Sequence, residues 1–240
     1  SGGRAHLMDV MRYAITGASR GLGLEFVRQL LNRGDIIDAG VRSPPEARQL
    51  QELAQGAEGR LRLHALDISN PQSVEAFAAS VGQGQPLDVL INNAGVYGKE
   101  GALSELDYES MAQTFAINTL GPLRLSAALL PALRRGAARR IIHITSQMGS
   151  IGDNGMGGSY AYRLSKAALN MAMRNMHVDL HPEGFVTIAM HPGWVRTDMG
   201  GPQAPLRPEE SVRGMINVID RLKAEDGGRF FSYAGQELPW

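Results

Sequence analysis

Short runs of β-branched and apolar residues alternate with longer amphipathic segments along the whole chain. Apolar side chains occupy both alternating faces of the short runs, which is typical of parallel strands covered by helices on both sides. The longer segments repeat apolar positions every three or four residues, as amphipathic helices do. The predicted strands are Arg12–Thr16, Ile36–Val41, Leu61–Leu66, Val89–Asn92, Arg140–Thr145, Phe185–Met190 and Arg229–Phe231. The predicted helices are Leu22–Arg33, Ala47–Gln55, Gln72–Val81, Tyr108–Ile117, Leu120–Arg134, Ala161–Leu180 and Glu209–Leu222.

The alternation of strands and helices predicts crossover units rather than hairpins, and therefore an α/β fold. Asn70-Pro71 and Pro208 are typical of helix starts, with a cap and a first-turn proline. No linker-like change of composition and no internal repeat interrupts residues 11–240. We therefore predict a single doubly wound (Rossmann) domain over residues 11–240, with a parallel sheet of about seven strands and helices on both faces. Residues 1–10 are predicted to be a tail outside this fold.

Composition and charge narrow the class of protein. The chain of 240 residues carries 24 basic and 24 acidic side chains, and this zero formal charge argues against affinity for nucleic acid or an anionic membrane surface. The absence of cysteine excludes disulfides, thiolate zinc ligands and thiol nucleophiles. No apolar run approaches the roughly 20 residues of a membrane span, and Ser1–Leu7 lacks the apolar stretch of a signal peptide. We expect a cytoplasmic globular protein that binds neither nucleic acid nor membrane.

A glycine-rich loop, Thr16–Gly23, joins the first predicted strand to the first predicted helix. Glycine allows a sharp turn, a close approach of a pyrophosphate to the backbone, and close packing of helix on strand. The helix N-terminus then offers free N–H groups to the phosphates. An ordinary tight turn would also explain such a loop, but its place in the first crossover unit predicts a dinucleotide site.

Two arginines near this loop favour a cofactor with a 2′-phosphate. Dinucleotide folds usually place an acid on the ribose hydroxyls roughly 20 residues after the loop. Here that position is Val41, Arg42 follows it, and Arg20 lies inside the loop. Guanidinium groups bind phosphate through charge-assisted, bidentate hydrogen bonds. We therefore predict NADP(H) over NAD(H). The alternative is an NAD-using dehydrogenase in which the second strand ends earlier and Asp38 holds a ribose hydroxyl.

Tyr162 and Lys166 are four residues apart and therefore lie one turn apart on the same face of a predicted helix. A tyrosine phenol has a usual pKa near 10. A nearby ammonium and a positively charged oxidised nicotinamide would both lower that pKa toward working pH. The chain contains 21 Arg and only three Lys, at Lys99, Lys166 and Lys223, so a compact ammonium at this position differs from the chain's general preference. The alternative is a packed tyrosine beside a lysine whose charged end reaches solvent.

Together these motifs resemble the short-chain dehydrogenase/reductase family, and within it the C-factor and sniffer-like carbonyl reductases. The likeness extends from Arg12 to the C-terminus, and the one departure is Thr145, where the family more often has a second serine. Thr16–Gly23 resembles the family's cofactor loop, and Tyr162/Lys166 matches its signature pair. The further matching segments are Leu66–Ile68, Asn92–Gly95, Phe115–Asn118, Ile144–Gly149, His191–Gly201 and Leu238–Trp240.

The resemblance implies hydride transfer between the nicotinamide of NADP(H) and a small carbonyl or alcohol substrate. Ser146 and Tyr162 would hold the substrate oxygen and stabilise its developing charge, and Tyr162 would be the general acid/base. Lys166 would bind the ribose hydroxyls, and Asn118 would hold a water of the proton relay. The implied catalytic residues are Asn118, Ser146, Tyr162 and Lys166. The implied cofactor-binding residues are Gly17, Ser19, Arg20, Gly21, Leu22, Gly23, Arg42, Asp67, Ile68, Asn93, Ala94, Gly95, Tyr162, Lys166, Pro192, Gly193, Val195 and Thr197.

The substrate pocket and the assembly follow less directly from the sequence. An apolar pocket around the carbonyl is expected from some of five residues: Tyr97, Met148, Met156, Trp194 and Met199. The resemblance leaves a monomer, a homodimer and a homotetramer open.

Three other functions fit parts of the sequence. Ser159, Asp179 and His181 follow the chain order of a serine-hydrolase triad, but the glycines before Ser159 cannot form the strand that a nucleophile elbow requires. His177 and His181 share a helical face, yet a third zinc ligand is not evident, so no metal is predicted. A non-catalytic regulator on a nucleotide-binding fold stays open because fold does not determine function. The complete set of candidate catalytic residues favours an enzyme.

Overall fold

Seven parallel strands form one sheet in a computed structural model that describes residues 9–83 and 85–240. The strands are β1 (Arg12–Thr16), β2 (Ile36–Val41), β3 (Leu61–Ala65), β4 (Val89–Asn92), β5 (Arg140–Ile144), β6 (Val186–His191) and β7 (Phe230–Ser232). Their order in the sheet is β3-β2-β1-β4-β5-β6-β7, and every neighbouring pair is parallel. The predicted doubly wound α/β fold is confirmed. Most of the predicted tail, residues 1–8, lies outside the described residues.

Seven helices cover the sheet in the described part of the chain. They are α1 (Gly21–Asn32), α2 (Arg48–Gln55), α3 (Pro71–Gly82), α4 (Tyr108–Phe115), α5 (Gly121–Arg135), α6 (Tyr160–Leu180) and α7 (Pro208–Arg221). One apolar cluster packs α1, α2 and α7 on one face of the sheet, with Phe26 and Met215 among its buried members. A second packs α3, α5 and α6 on the other face, around Phe77 and Leu125. Burial of apolar side chains on both faces explains why the strand sequences do not alternate with polar residues.

One predicted helix ends differently from the expectation. The segment Tyr108–Ile117 was expected to be a continuous α-helix, whereas α4 ends at Phe115 and a π-helical turn, Ala116–Leu120, leads directly into α5. A π-turn inserts one extra residue and rotates the side chains that follow, and such turns often occur at functional sites. Here the turn carries Asn118, whose side chain is fully buried.

A buried charge cluster occupies the middle of β2. The carboxylate of Asp38 lies 2.7 Å from the Arg12 guanidinium and 2.9 Å from that of Arg62, and it is fully buried. Burial alone would raise the pKa of Asp38, but the hydrogen bond with His64 and the charge of Arg12 lower it below its usual value. Because β2 continues to Val41, Asp38 does not reach the carboxyl edge of the sheet. The alternative in which Asp38 binds a ribose hydroxyl is therefore wrong.

The described helices contain no segment that is both long enough and apolar enough to cross a bilayer.

Candidate active site

The carboxyl ends of β1, β4, β5 and β6 bring the sequence motifs to one edge of the sheet. In register, Ile15 pairs with Ile91, Asn92 with His143, and Ile144 with Met190. The loops that follow these strands therefore start side by side. The strand order reverses between β1 and β4, and in open α/β sheets ligands bind at that switch point.

The glycine loop and the segment after β4 are joined by hydrogen bonds. The Thr16 hydroxyl accepts the backbone N–H groups of Asn93 at 3.0 Å and Ala94 at 2.9 Å. The Asn93 amide donates back to the Gly17 carbonyl oxygen at 3.2 Å. A side chain at Gly23 would overlap the same carbonyl oxygen, so only glycine lets α1 approach the loop this closely. The result is a cradle of closely packed backbone, with Ser19 and Arg20 exposed, that ends at the N-terminus of α1.

The residues predicted to bind the 2′-phosphate and the adenine lie in the loops after β1, β2 and β3. Arg20 is exposed at the start of α1, and its guanidinium is 3.4 Å from the Asp198 carboxylate. Arg42 is exposed just after β2. A hydrogen bond from the Ser69 hydroxyl, and to a smaller extent the Arg42 charge, lower the pKa of Asp67. Arg42 is therefore close enough to interact with the strand end that is predicted to bind adenine.

The remaining predicted cofactor residues lie around the same edge. Thr197 belongs to the loop after β6 and lies close to Gly21. If Gly21 carried a side chain, its first carbon would be 3.6 Å from the Thr197 side chain. Val195 is buried and forms a bridge with Leu206, which holds the loop in place. The other predicted cofactor residues fall in the loops after β1, β3, β4 and β6 or in the first turn of α1: Ser19, Leu22, Ile68, Gly95, Pro192 and Gly193.

Ser146, Tyr162 and Lys166 lie together at this edge. Tyr162 and Lys166 are both buried, at 8% and 4% exposure, and the Lys166 ammonium is 5.7 Å from the centre of the Tyr162 ring. The ammonium donates to the Ile144 carbonyl oxygen at 3.0 Å, and burial lowers the pKa of Lys166 to about 8. Ser146 lies two residues after the end of β5 and is also buried. The structure thus brings together the three side chains that the spacing and the resemblance selected.

The pKa of the Tyr162 phenol moves in the direction opposite to the prediction. Burial raises the pKa of Tyr162 to about 12, and the interaction with the Ser146 hydroxyl lowers it only in part. The expectation that the Lys166 ammonium brings this pKa down is therefore wrong for the protein alone, because desolvation of the phenolate is the largest influence and the Lys166 charge is not among the causes of the shift. The contribution of an oxidised nicotinamide stays a prediction.

The Asn118 side chain is engaged by the chain segment after β4. Its amide nitrogen donates to the Val96 carbonyl oxygen at 2.7 Å and to the Ser165 hydroxyl at 3.0 Å. Its amide oxygen accepts the Val96 N–H at 2.8 Å. The side chain therefore fixes the backbone at Val96, and its predicted part in a water relay stays a prediction.

Tyr97 is a site residue whose position the sequence did not indicate. Its ring stacks on that of Tyr162, with centroids 4.8 Å apart and an interplanar angle of 23°. The sequence placed Tyr97 only among five expected pocket residues. Of these, Met156, Trp194 and Met199 are exposed and Met148 is half-buried. No sequence pattern near either residue predicts the contact between Tyr97 and Tyr162, because the contact depends on how the loop after β4 packs against α6.

The alternative sites do not assemble. Ser159 lies at the start of α6 and His181 just after its end, so about 30 Å of helix separates them. His177 and His181 do approach, with ring centroids 5.1 Å apart. Within the described residues, however, no group of three potential metal ligands occurs.

The fold and this edge define an oxidoreductase of the doubly wound α/β class. The chain belongs to the short-chain dehydrogenase family, whose model, described as short chain dehydrogenase, matches residues 12–207. It is 62% identical to the C-signal of Myxococcus xanthus over 167 residues, which is 70% of this chain and all of that protein.

Two solved structures extend the likeness to nearly the whole chain. The NADPH-bound carbonyl reductase from chicken fatty liver has a TM-score of 0.91 and 37% identity, over 96% of this chain and 99% of that one. The carbonyl reductase Sniffer of D. melanogaster has a TM-score of 0.90 and 34% identity, over 96% of this chain and 100% of that one. The predicted family, its subgroup and the prediction of an enzyme are confirmed.

Proposed function

We propose that this protein is an NADP(H)-dependent carbonyl reductase in which Tyr162 is the general acid. The observation that carries the proposal is the buried phenol of Tyr162 beside Ser146 and Lys166, at the same sheet edge as the glycine loop. A hydroxyl, a phenol and an ammonium at one point can hold a carbonyl oxygen and supply a proton to it.

The residues present fit a dinucleotide. A side chain at Gly23 would overlap the Gly17 carbonyl, so glycine at this position lets the N-terminus of α1 pack against the loop that a pyrophosphate would approach. The N-terminus of α1 would hold the phosphates. Arg20 and Arg42 are exposed in the loops after β1 and β2 and would pair with a 2′-phosphate, Arg20 by exchanging its exposed ion pair with Asp198. The carbonyl reductase from chicken fatty liver, a structural relative, is described as NADPH-bound, which supports the same preference.

The protonation states of the site suit reduction. With a pKa of about 12, Tyr162 carries its proton at neutral pH and can donate it to the oxygen of the substrate. Ser146 would donate a second hydrogen bond to that oxygen. With a pKa of about 8, Lys166 is charged at pH 7 and would hold the ribose hydroxyls. NADPH, when bound, supplies the hydride.

Tyr162→Phe tests the role of the phenol. We expect turnover of aldehydes, ketones, quinones and diketones to fall by about 10²–10⁴-fold, because proton donation is lost. NADPH affinity, measured by fluorescence titration, should change little. Tyr160→Phe is the matched control, since Tyr160 starts the same helix and should leave both quantities unchanged. Equal losses of binding and turnover would contradict the role. NADPH binding by the wild-type protein without turnover of any carbonyl would favour the non-catalytic regulator.

Arg42→Ala tests the cofactor preference. Loss of a charge-assisted contact of about 1.5–3 kcal/mol should raise the KM for NADPH by about 10–100-fold and leave the KM for NADH nearly unchanged. Arg213→Ala, at an exposed position on α7, is the control and should change neither value. An unchanged ratio of the two KM values in Arg42→Ala would remove Arg42 from the cofactor site.

A further inference from the structure

The backbone on both sides of Tyr97 is held in place. At Val96, the Asn118 amide binds both the N–H and the carbonyl oxygen, at 2.8 and 2.7 Å. At Gly98, φ is +80°, and an added side-chain carbon would lie 2.6 Å from the Thr114 hydroxyl oxygen. The segment is therefore packed against both the π-turn and α4, and Tyr97 projects from a rigid support.

The Tyr97 hydroxyl is the inner end of a hydrogen-bond chain that reaches solvent. It lies 2.6 Å from the Ser159 hydroxyl, which in turn donates to the exposed Glu100 carboxylate at 3.0 Å. Because a serine hydroxyl has one proton and Ser159 gives it to Glu100, the phenol of Tyr97 is the donor to Ser159. The chain runs from Tyr97 through Ser159 to Glu100.

Ser159 adopts an unfavourable local conformation to make this contact. It is the N-cap of α6, a position where serine normally accepts a backbone N–H, yet its side chain makes no capping bond. Its φ is +47°, in the left-handed region that favours glycine. Backbone strain of this kind is maintained where the surrounding structure requires it, and often at functional sites. Here the strained residue directs its hydroxyl to Tyr97 and Glu100 instead of to its own helix.

We propose that Tyr97 is a positioning residue for the catalytic phenol. Anchored through Ser159 and Glu100, its ring packs at 4.8 Å against the ring of Tyr162. The stack restricts rotation of the Tyr162 ring and keeps the phenol directed toward Ser146 and the substrate oxygen. The proposal rests on the proposed carbonyl reductase function and assigns the control of that one side chain. The proximity of Tyr97 also contributes to the raised pKa of Tyr162.

Steady-state kinetics of Tyr97→Leu test the stack. We expect kcat to fall by about 10–100-fold, the range associated with misplacing a catalytic group. The KM values for NADPH and for carbonyls of different shape should stay within about twofold, because a positioning residue touches neither. Tyr97→Phe keeps the ring and should bring kcat back to within about two- to fivefold of the wild type. Tyr108→Leu, at a tyrosine that is 72% exposed, is the matched control. A Tyr97→Leu effect confined to the carbonyl KM, or no effect, would overturn the proposal.

A double-mutant cycle tests the anchor. Tyr97→Phe and Ser159→Gly remove the two sides of one hydrogen bond, and glycine adopts the φ of position 159 without strain. Each variant should lose about two- to fivefold in kcat, and the double variant should be no worse than either single variant. If kcat of the double variant instead falls by the product of the two single-variant factors, the two residues act independently and the proposed anchor is wrong. Thermal unfolding of all variants separates these effects from loss of the folded state.

A readout that needs no turnover separates this proposal from the proposed function. In protein labelled with ¹³C-tyrosine, Tyr162→Phe identifies the ring resonances of Tyr162. Loss of the stacked ring in Tyr97→Leu, and its loosening in Ser159→Gly, should move those resonances, whereas Tyr108→Leu should not. Resonances that stay in place would overturn the positioning role even if the enzyme is active. A wild-type protein that reduces no carbonyl, but shows the expected shifts, would contradict only the proposed function.

Discussion

Lys166 provides a direct test of how burial affects both stability and activity. Its side chain is 4% exposed, and burial lowers its pKa from 10.5 to about 8. A shift of this size corresponds to about 3 kcal/mol of lost stability at pH 7, where the folded protein holds a charged ammonium in a desolvated site. Replacing Lys166 by Met removes this cost and keeps a flexible apolar chain of similar length. It also removes the hydrogen bond to Ile144, which offsets about 1 kcal/mol.

The Lys166→Met variant is therefore expected to be about 2 kcal/mol more stable than the wild type at pH 7, and inactive. The pH dependence follows from the sign of the shift. Because the pKa is lower in the folded state, folding releases a proton between about pH 8 and pH 10.5, and wild-type stability rises with pH across that window. Methionine does not titrate, so the advantage of the variant should disappear near pH 10.5.

Equilibrium urea unfolding of the cofactor-free proteins at several pH values from 7 to 10.5 measures the difference. Groups that titrate in both proteins cancel in the comparison. Lys223→Met is the matched control, because it makes the same substitution at an exposed lysine. The reasoning that burial destabilises the charged form of Lys166 would be refuted by either of two results. One is a Lys166→Met protein that is less stable than the wild type at pH 7, and the other is a difference in unfolding free energy that stays constant with pH.

Three further outcomes are expected. Asp38→Asn should lower the free energy of unfolding by about 3–5 kcal/mol in urea denaturation, because it leaves the Arg12 guanidinium buried beside a neutral group. The same substitution should leave the ratio of the KM values for NADPH and NADH unchanged. Gly23→Ala should weaken NADPH binding in fluorescence titrations, since the methyl group would overlap the Gly17 carbonyl; unchanged affinity would contradict the cradle. The KM for NADPH should rise above about pH 8 as Lys166 loses its charge; a flat profile would contradict its proposed role at the ribose.

The fold could be predicted from the sequence because its signals are local. The bounds of β1, β2 and β4 agree with the prediction, since apolar runs and nearby Gly, Asn or Pro delimit them. The π-turn at Asn118 could not be predicted in this way. It coincides with a close approach of α5 to the loop after β3, where a side chain at Gly121 would lie 2.6 Å from Ile68.

The candidate site was predictable only where it depends on spacing along one helix. The four-residue interval between Tyr162 and Lys166 places both on one face before any tertiary contact is known. The partners of Asp38 and the stack of Tyr97 on Tyr162 join distant segments, and nothing in either sequence neighbourhood indicates them. The direction of the Tyr162 pKa was wrong for the same reason. Burial is a tertiary property, and it is the largest cause of the raised pKa of Tyr162.

Burial moves the two central groups of the site in opposite directions, and the combination favours proton donation. It raises the pKa of Tyr162 to about 12 and lowers that of Lys166 to about 8. Below about pH 8 the protein therefore holds a protonated phenol beside a charged ammonium, which is the state that the proposed reduction requires. The reverse reaction requires the phenolate, whose formation the same burial opposes. The rate of alcohol oxidation should consequently rise with pH well above the range in which reduction is fastest. Coincident pH optima would mean that the bound cofactor, rather than the protein, sets the acidity of Tyr162.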